Sequence, residues 1–195
     1  MGRQPLIILV CIAALCSGCA SSIKQTPTLP VSYGPLDHDK EVMGKLQEVF
    51  ENAQSLKRNL RLNLPELRAI ARATRQAPVA VTKCNIRVLS AFIASDWVPM
   101  VIFGVPAGRR RFVAVVGYDS SIEELTIVDS IGYARTKMKY PEFFRRWVSP
   151  DKTCLLMFSR YVGDNAIKAA LKKYLPEERA ESIGIVTPRD RLYKG

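Results

Sequence analysis

The sequence predicts an α+β fold, with helices in the first half, an antiparallel sheet in the second and a closing helix. Two patterns point to it. Apolar residues recur at helical spacing from Val42 onward, and beyond Trp97 short β-branched runs are cut by Gly and Pro. Length is the third observation: 195 residues hold one domain with its own core, and hardly two.

The first eighteen residues stand apart from that domain: Arg3, an apolar run from Leu6 to Leu15, then Ser17 and Gly18 before Cys19. This is the pattern of a signal peptide. The run is about half of the roughly 20 apolar residues that a membrane-crossing helix needs. Leu15-Cys16-Ser17-Gly18-Cys19 resembles the lipobox of bacterial lipoproteins, with Cys16 where Leu is usual. That resemblance implies cleavage before Cys19 and diacylglycerol and palmitate-type acylation of its thiol. The lipid bilayer is then a partner and the cell envelope the location. Ala20, rather than Asp, after the cysteine favours the outer membrane, facing the periplasm, in a Gram-negative host.

Removing residues 1–18 takes away Arg3 and no acidic group, so the formal charge falls from +11 to +10. In an envelope such a basic surface meets lipid headgroups, anionic polymers and acidic peptides, and no nucleic-acid partner is expected. Of the five cysteines, Cys11 and Cys16 leave with the signal and Cys19 goes to lipid. Cys84 and Cys154 remain, as a disulfide formed in an oxidising compartment or as two separate buried thiols.

From Cys19 to His38 the composition is rich in Ser, Thr, Pro and Gly, which predicts a flexible tether. Val42, Leu46, Val49, Phe50, Ala53 and Leu56 then predict a long amphipathic helix. Asn63 as cap and Pro65 in the first turn open a second helix, with Leu67, Ile70 and Ala71 on one face. A third is expected over residues 85–95, buried through Ile86, Leu89, Phe92 and Ile93.

Val98 to Phe103 and Phe112 to Val116 are predicted strands, bounded by Gly104, Pro106, Gly108 and Gly117. Leu125 to Val128 makes a third strand and Thr153 to Phe158 a fourth, after a short helix around Pro141 to Trp147. Ala166 to Leu175 is a further amphipathic helix. The domain so read covers residues 39–180, and 181–195 form a polar tail.

Several phrases between Asn63 and Trp147 resemble, in order, the C39-like peptidases, a family of papain-like cysteine hydrolases. Trp97-Val98-Pro99-Met100-Val101-Ile102 is similar to that family's first core strand, and Phe112-Val113-Ala114-Val115-Val116-Gly117-Tyr118-Asp119 to the next, normally opened by the catalytic His. Leu125-Thr126-Ile127-Val128-Asp129 resembles the strand ending in Asp-Pro, and Phe143 to Trp147 the Phe-x-x-x-Trp helix after it. The resemblance covers about the central half of the processed chain and implies a papain-like C39-type domain.

The catalytic groups are missing from it. That chemistry needs a thiolate, an imidazole to hold its proton and a group to orient the ring. The His position holds Arg111, whose guanidinium stays protonated and cannot act as a base. No cysteine lies between Asp37 and Leu46, where the first helix would place the nucleophile. Asp129 alone matches, with Ser130 in place of the usual Pro, and an Arg111–Asp129 ion pair is expected instead of a relay.

These residues point to an inactive peptidase-like domain that binds a peptide or an envelope protein, with Arg109, Arg110, Arg111, Asp129 and Tyr118 as the candidate binding residues. The Arg109-Arg110-Arg111 triplet reads either as a cleft edge that holds a carboxylate through paired hydrogen bonds or as a solvated turn. Two other readings remain: a hydrolase using Cys84 with His38 as base, and a basic envelope protein that binds anionic polymers. There is no zinc-ligand cluster, no Gly-rich phosphate loop and no Gly-x-Ser-x-Gly elbow, so no metal or cofactor is expected.

Overall fold

A computed structural model describes residues 28–55, 62, 64–104 and 110–188, and it is a mixed α+β fold. The signal segment, Cys19, Arg109 and the last seven residues lie outside the described residues. The elements run β1 (Ser32–Tyr33), α1 (Lys40–Ser55), α2 (Leu64–Thr74), β2 (Ala77–Thr82), α3 (Ile86–Ile93), β3 (Met100–Gly104), β4 (Arg110–Asp119) and β5 (Glu124–Asp129). They continue with β6 (Arg135–Lys139), α4 (Tyr140–Arg146), β7 (Cys154–Phe158), α5 (Asp164–Lys172), α6 (Glu177–Glu181) and β8 (Gly184–Val186).

All strand pairs are antiparallel, and the sheet order is β6-β5-β4-β3-β7-β2-β8, with β1 on the far part of β4. The sheet is covered on both faces, which is why its central strands read as continuous apolar runs rather than alternations. On one face Val42, Met43 and Leu46 of α1 and Leu67 and Ile70 of α2 pack on Met100, Ile102, Phe112 and Ala114. On the other, α3, α4 and α5 pack on Val101, Phe103, Val113 and Val115.

Local signals open α1 and α3, while Asn63, the expected cap of α2, lies outside the described residues. The Asp39 carboxylate accepts the Val42 N–H at 3.0 Å to open α1, and Asn85 Oδ1 accepts the Val88 N–H at 2.9 Å to cap α3. Such caps satisfy N–H groups that the helix itself leaves unpaired.

Three expectations are corrected. First, the sheet does not simply follow the helices: β2 stands between α2 and α3 in sequence and between β7 and β8 in space. Its sequence, APVAVT, is a weak strand signal because of Pro78. The fold accommodates that proline because β8 pairs only with Ala80–Thr82, so Pro78 lies where β2 has no neighbour on its second side.

Second, residues 28–38 are not a free tether. Tyr33 pairs with Tyr118, the Leu36 N–H donates to Val116 O, and Ser120 donates through both its N–H and Oγ to Val31 O. Gly34 allows that approach: its φ is +90°, and a Cβ there would stand 2.4 Å from Val116 O.

Third, residues 181–186 are not a tail. Glu181 closes α6, Ala180 and Ile183 are buried, and Gly184–Val186 pairs with β2. Glu181 holds α6 to α5 through Lys168 at 2.6 Å and Lys172 at 2.8 Å. Hydrogen bonds from Lys168 and Lys172 pull its carboxyl down to about 2. The group is ionised in the fold where the unfolded chain would already bind a proton. Its stabilising contribution is therefore complete above the usual carboxylate range and lost as pH falls toward 2. Titration followed at the Glu181 carboxyl carbon by NMR is expected to show a midpoint at least one unit below that of a free glutamate; an ordinary midpoint would mean that the contact is not held in solution.

Candidate functional site

β3 and β4 bring the first part of the expected site together. Phe103 stands opposite Arg111 across the strand pair, and Val113 opposite Asp129. Arg111 and Asp129 thus lie diagonally across β4 and β5, and the Arg111 Nη1 to Asp129 Oδ2 distance is 2.7 Å. The second Asp129 oxygen accepts the Ile131 N–H at 2.9 Å, and Arg111 Nε is buried without a partner among the described residues.

The expected ion pair is therefore present, with side-chain exposures of 28% and 20%. Water reaches both groups, so the coupling is modest. A double-mutant cycle of Arg111→Ala and Asp129→Ala is expected to give about 1 kcal/mol, falling with added salt. A coupling below the error of the cycle would show that the pair does not hold in solution.

Behind the ion pair, on the α1 face, lies a buried polar node that the sequence did not single out. Gln47 Oε1 accepts the Phe112 N–H at 3.2 Å and the Ser130 hydroxyl at 2.8 Å, while its Nε2 donates to Glu51 at 2.9 Å. Gln47 is 7% and Ser130 6% exposed. Ser130 ties the end of β5 to α1. A glutamine on the inner face of an otherwise apolar helix was the available signal.

Other expected residues are not gathered here. Tyr118 lies seven residues along β4 from Arg111, roughly 23 Å for extended chain. A bulge between Val115 and Gly117 shifts the β4 alternation and turns Tyr118 into the core of the α3 face. Its hydroxyl is buried without a partner among the described residues, and burial pushes its pKa up to about 12. It serves packing and not the Arg111 site. Arg110 opens β4 opposite Gly104 and is engaged in an interaction of its own.

The first turn of α1 does not meet Arg111 either. Asp39, Val42 and Met43 instead line a cavity of about 340 Å³ at the opposite end of β3, with Met100, Ala114 and Leu156 beneath. Trp97 and Phe158 form its aromatic wall, their rings edge to face at 5.1 Å. Asp37, His38 and Asp96 complete the mouth. Both ring nitrogens of His38 are shielded and unpartnered among the described residues. Burial, with Arg135 and Lys40 nearby, lowers the imidazole's pKa, which leaves it neutral at pH 7.

Cys84 and Cys154 are free thiols, both buried, with their sulfurs 3.6 Å apart. The Cys84 thiol also donates to Val81 O at 3.3 Å. Cys84 therefore has no histidine partner, and the Cys84–His38 pairing that the hydrolase reading requires is not made. Burial, then the neighbouring Cys84, raises the Cys154 thiol well above its ordinary value, so it stays protonated and unreactive in the fold.

Such a pair is oxidised during folding, before it is enclosed, or hardly at all. Protein recovered from an oxidising compartment is expected to have a mass two hydrogens below the dithiol and to resist alkylation at both positions even when denatured. Protein folded under reducing conditions should be alkylated only after denaturation. Rapid labelling of the native dithiol would contradict the burial. No group of three or more metal-ligating residues occurs among the described residues, and none of their helices is long and apolar enough to cross a membrane.

Comparison with family models, with curated proteins and with solved structures gives no match for this chain.

Proposed function

We propose that this protein is an envelope lipoprotein, anchored through acylated Cys19, whose papain-like C39-type domain has lost catalysis and binds a peptide or protein partner. The observation that carries the reading is the Arg111–Asp129 ion pair, at 2.7 Å, in the two positions where the resemblance would place the base and the group that orients it. A guanidinium bound to a carboxylate cannot shuttle a proton, and the start of α1 supplies Asp39 and Lys40 rather than a thiol.

A cavity lined by that first turn supports the binding half of the reading. In the resembled family this helix start faces the substrate, and here it borders an open space with an apolar floor and polar mouth, the ordinary character of a ligand pocket.

The test is to incubate the purified full-length chain, in neutral detergent, with a diverse peptide mixture and identify by mass spectrometry what is cleaved and what is retained. Retention without cleavage is expected. Cleavage that disappears with Cys84→Ser would replace the proposal with an enzyme, and neither retention nor cleavage would end the peptide-binding reading.

A further inference from the structure

The cavity at the start of α1 has a charge opposite in sign to that of the chain as a whole. The chain carries 29 basic and 18 acidic residues, yet among the described residues the cavity lining contains Asp37, Asp39 and Asp96 and no lysine or arginine. Lys40 and Arg135 stand near His38, but the charged side chains that line the mouth itself are carboxylates, and such a lining discriminates between ligands by charge.

Each carboxylate keeps capacity for a guest. Asp37 has no partner among the described residues. Asp39 commits Oδ1 to the Val42 N–H and Asp96 commits Oδ1 to the Tyr33 hydroxyl at 2.7 Å, which leaves the second oxygen of each. His38 adds a neutral imidazole whose two shielded nitrogens lack partners among the described residues. Unpaired buried polar atoms are costly, and a donor from a ligand would relieve that cost.

Below the mouth the chemistry changes. Met43, Met100 and Leu156 make an apolar floor, and the faces and edges of Trp97 and Phe158 make a wall. Aromatic faces attract cations as well as apolar stems. The volume, about 340 Å³, is at the lower limit of small-molecule pockets and suits one long side chain.

We propose that this pocket receives a basic side chain, lysine or arginine, of the peptide partner: the aliphatic stem lies against Trp97 and the methionines, and the cationic head meets Asp37, Asp39 and Asp96. This rests on the peptide-binding reading above and names its specificity. Long cationic side chains divide in this way, with the stem in apolar surroundings and the head among polar groups.

Trp97 is half-buried in the wall while Trp147, the second tryptophan, is fully buried elsewhere, so intrinsic fluorescence reports on the pocket. The probes are pentapeptides, capped at both ends, Ala-Ala-X-Ala-Ala, with X lysine, norleucine or glutamate, titrated into the full-length chain. Lysine is expected to bind at least tenfold tighter than norleucine and to shift the Trp97 emission, with no shift for glutamate. Asp37→Asn and Asp96→Asn should each weaken the lysine peptide several-fold and leave norleucine unchanged. Both sites are exposed, and Asn tolerates the left-handed backbone of Asp96 (φ 60°) as Asp does, so these variants keep the fold.

Equal affinity for lysine and norleucine, with a fluorescence shift, would overturn the charge selection and leave peptide binding standing. Silence of all three probes, with peptides still retained from the mixture, would overturn this pocket and leave the broader reading intact. Silence in both experiments would remove both.

Discussion

Replacing Trp147 with alanine is expected to lower unfolding free energy by about 3–5 kcal/mol, the usual cost of deleting a fully buried aromatic side chain. The indole is fully buried at the end of α4, its ring against Phe143 at 5.8 Å and Phe144 at 6.3 Å. Its N–H donates to Ser149 Oγ at 2.6 Å and Thr153 O at 3.1 Å, which closes the turn between α4 and β7. Lys152 covers the outer side, over the Phe144 ring at 4.4 Å, and donates to Trp147 O. For a domain of this size a loss of that order lowers Tm by roughly 10 °C. Trp147→Phe keeps most of the ring and loses only the N–H bonds, so its expected cost is about 1–2 kcal/mol. Calorimetry and denaturant melts measure both. Equal costs would mean that the hydrogen bonds, and not the ring packing, hold this corner.

Gln47→Leu is expected to cost about 2–4 kcal/mol although it replaces a polar residue by an apolar one of similar size. The substitution removes the acceptor that the Phe112 N–H and the buried Ser130 hydroxyl share, and losing such buried bonds costs about 1–3 kcal/mol each. Ser130→Ala removes one of the two donors together with its need for a partner. The double variant should therefore be less harmed than the two single costs added. Strict additivity would show that Gln47 and Ser130 act independently. The outcome also bears on the site, since Gln47 holds the α1 side of the strand that presents Arg111. If the node stiffens β4 there, Gln47→Leu should reduce the Arg111–Asp129 coupling measured by the mutant cycle.

The proposed specificity has a structural corollary. The expected binding residues were the arginine triplet at a cleft edge, with Asp129 and Tyr118. Instead, Arg111 and Asp129 neutralise each other at one end of β3, Tyr118 is buried at the far end of β4, and a cavity of about 340 Å³ lies under Trp97. A side chain that enters the cavity meets the carboxylates of Asp37, Asp39 and Asp96, so in the proposed reading selection for a basic residue and rejection of an acidic one arise from the same lining.

Features that depend on neighbours along the chain were legible in the residues alone. The apolar spacing from Val42 onward and over residues 85–95 announces helices because residues three and four apart share a face, and the runs Phe112–Val116 and Leu125–Val128 announce buried strands because side-chain polarity reports burial directly. The Arg111–Asp129 pairing was expected from the resemblance, which sets the two residues at positions that face each other in the resembled fold. Features that depend on distant partners emerged only with the folded chain. β2 is Ala- and Pro-containing and β8 only three residues long, so neither signals a strand until β7 and β2 offer their edges. The arginine- and lysine-rich β6 likewise reads as a polar loop, because charged residues suit an edge strand as well as they suit solvent. The juxtaposition of Cys84 with Cys154, the Gln47 node and the acidic cavity each join residues more than fifty positions apart. No local periodicity encodes them, since they arise only when the sheet has set its register and both layers of helices have closed over it.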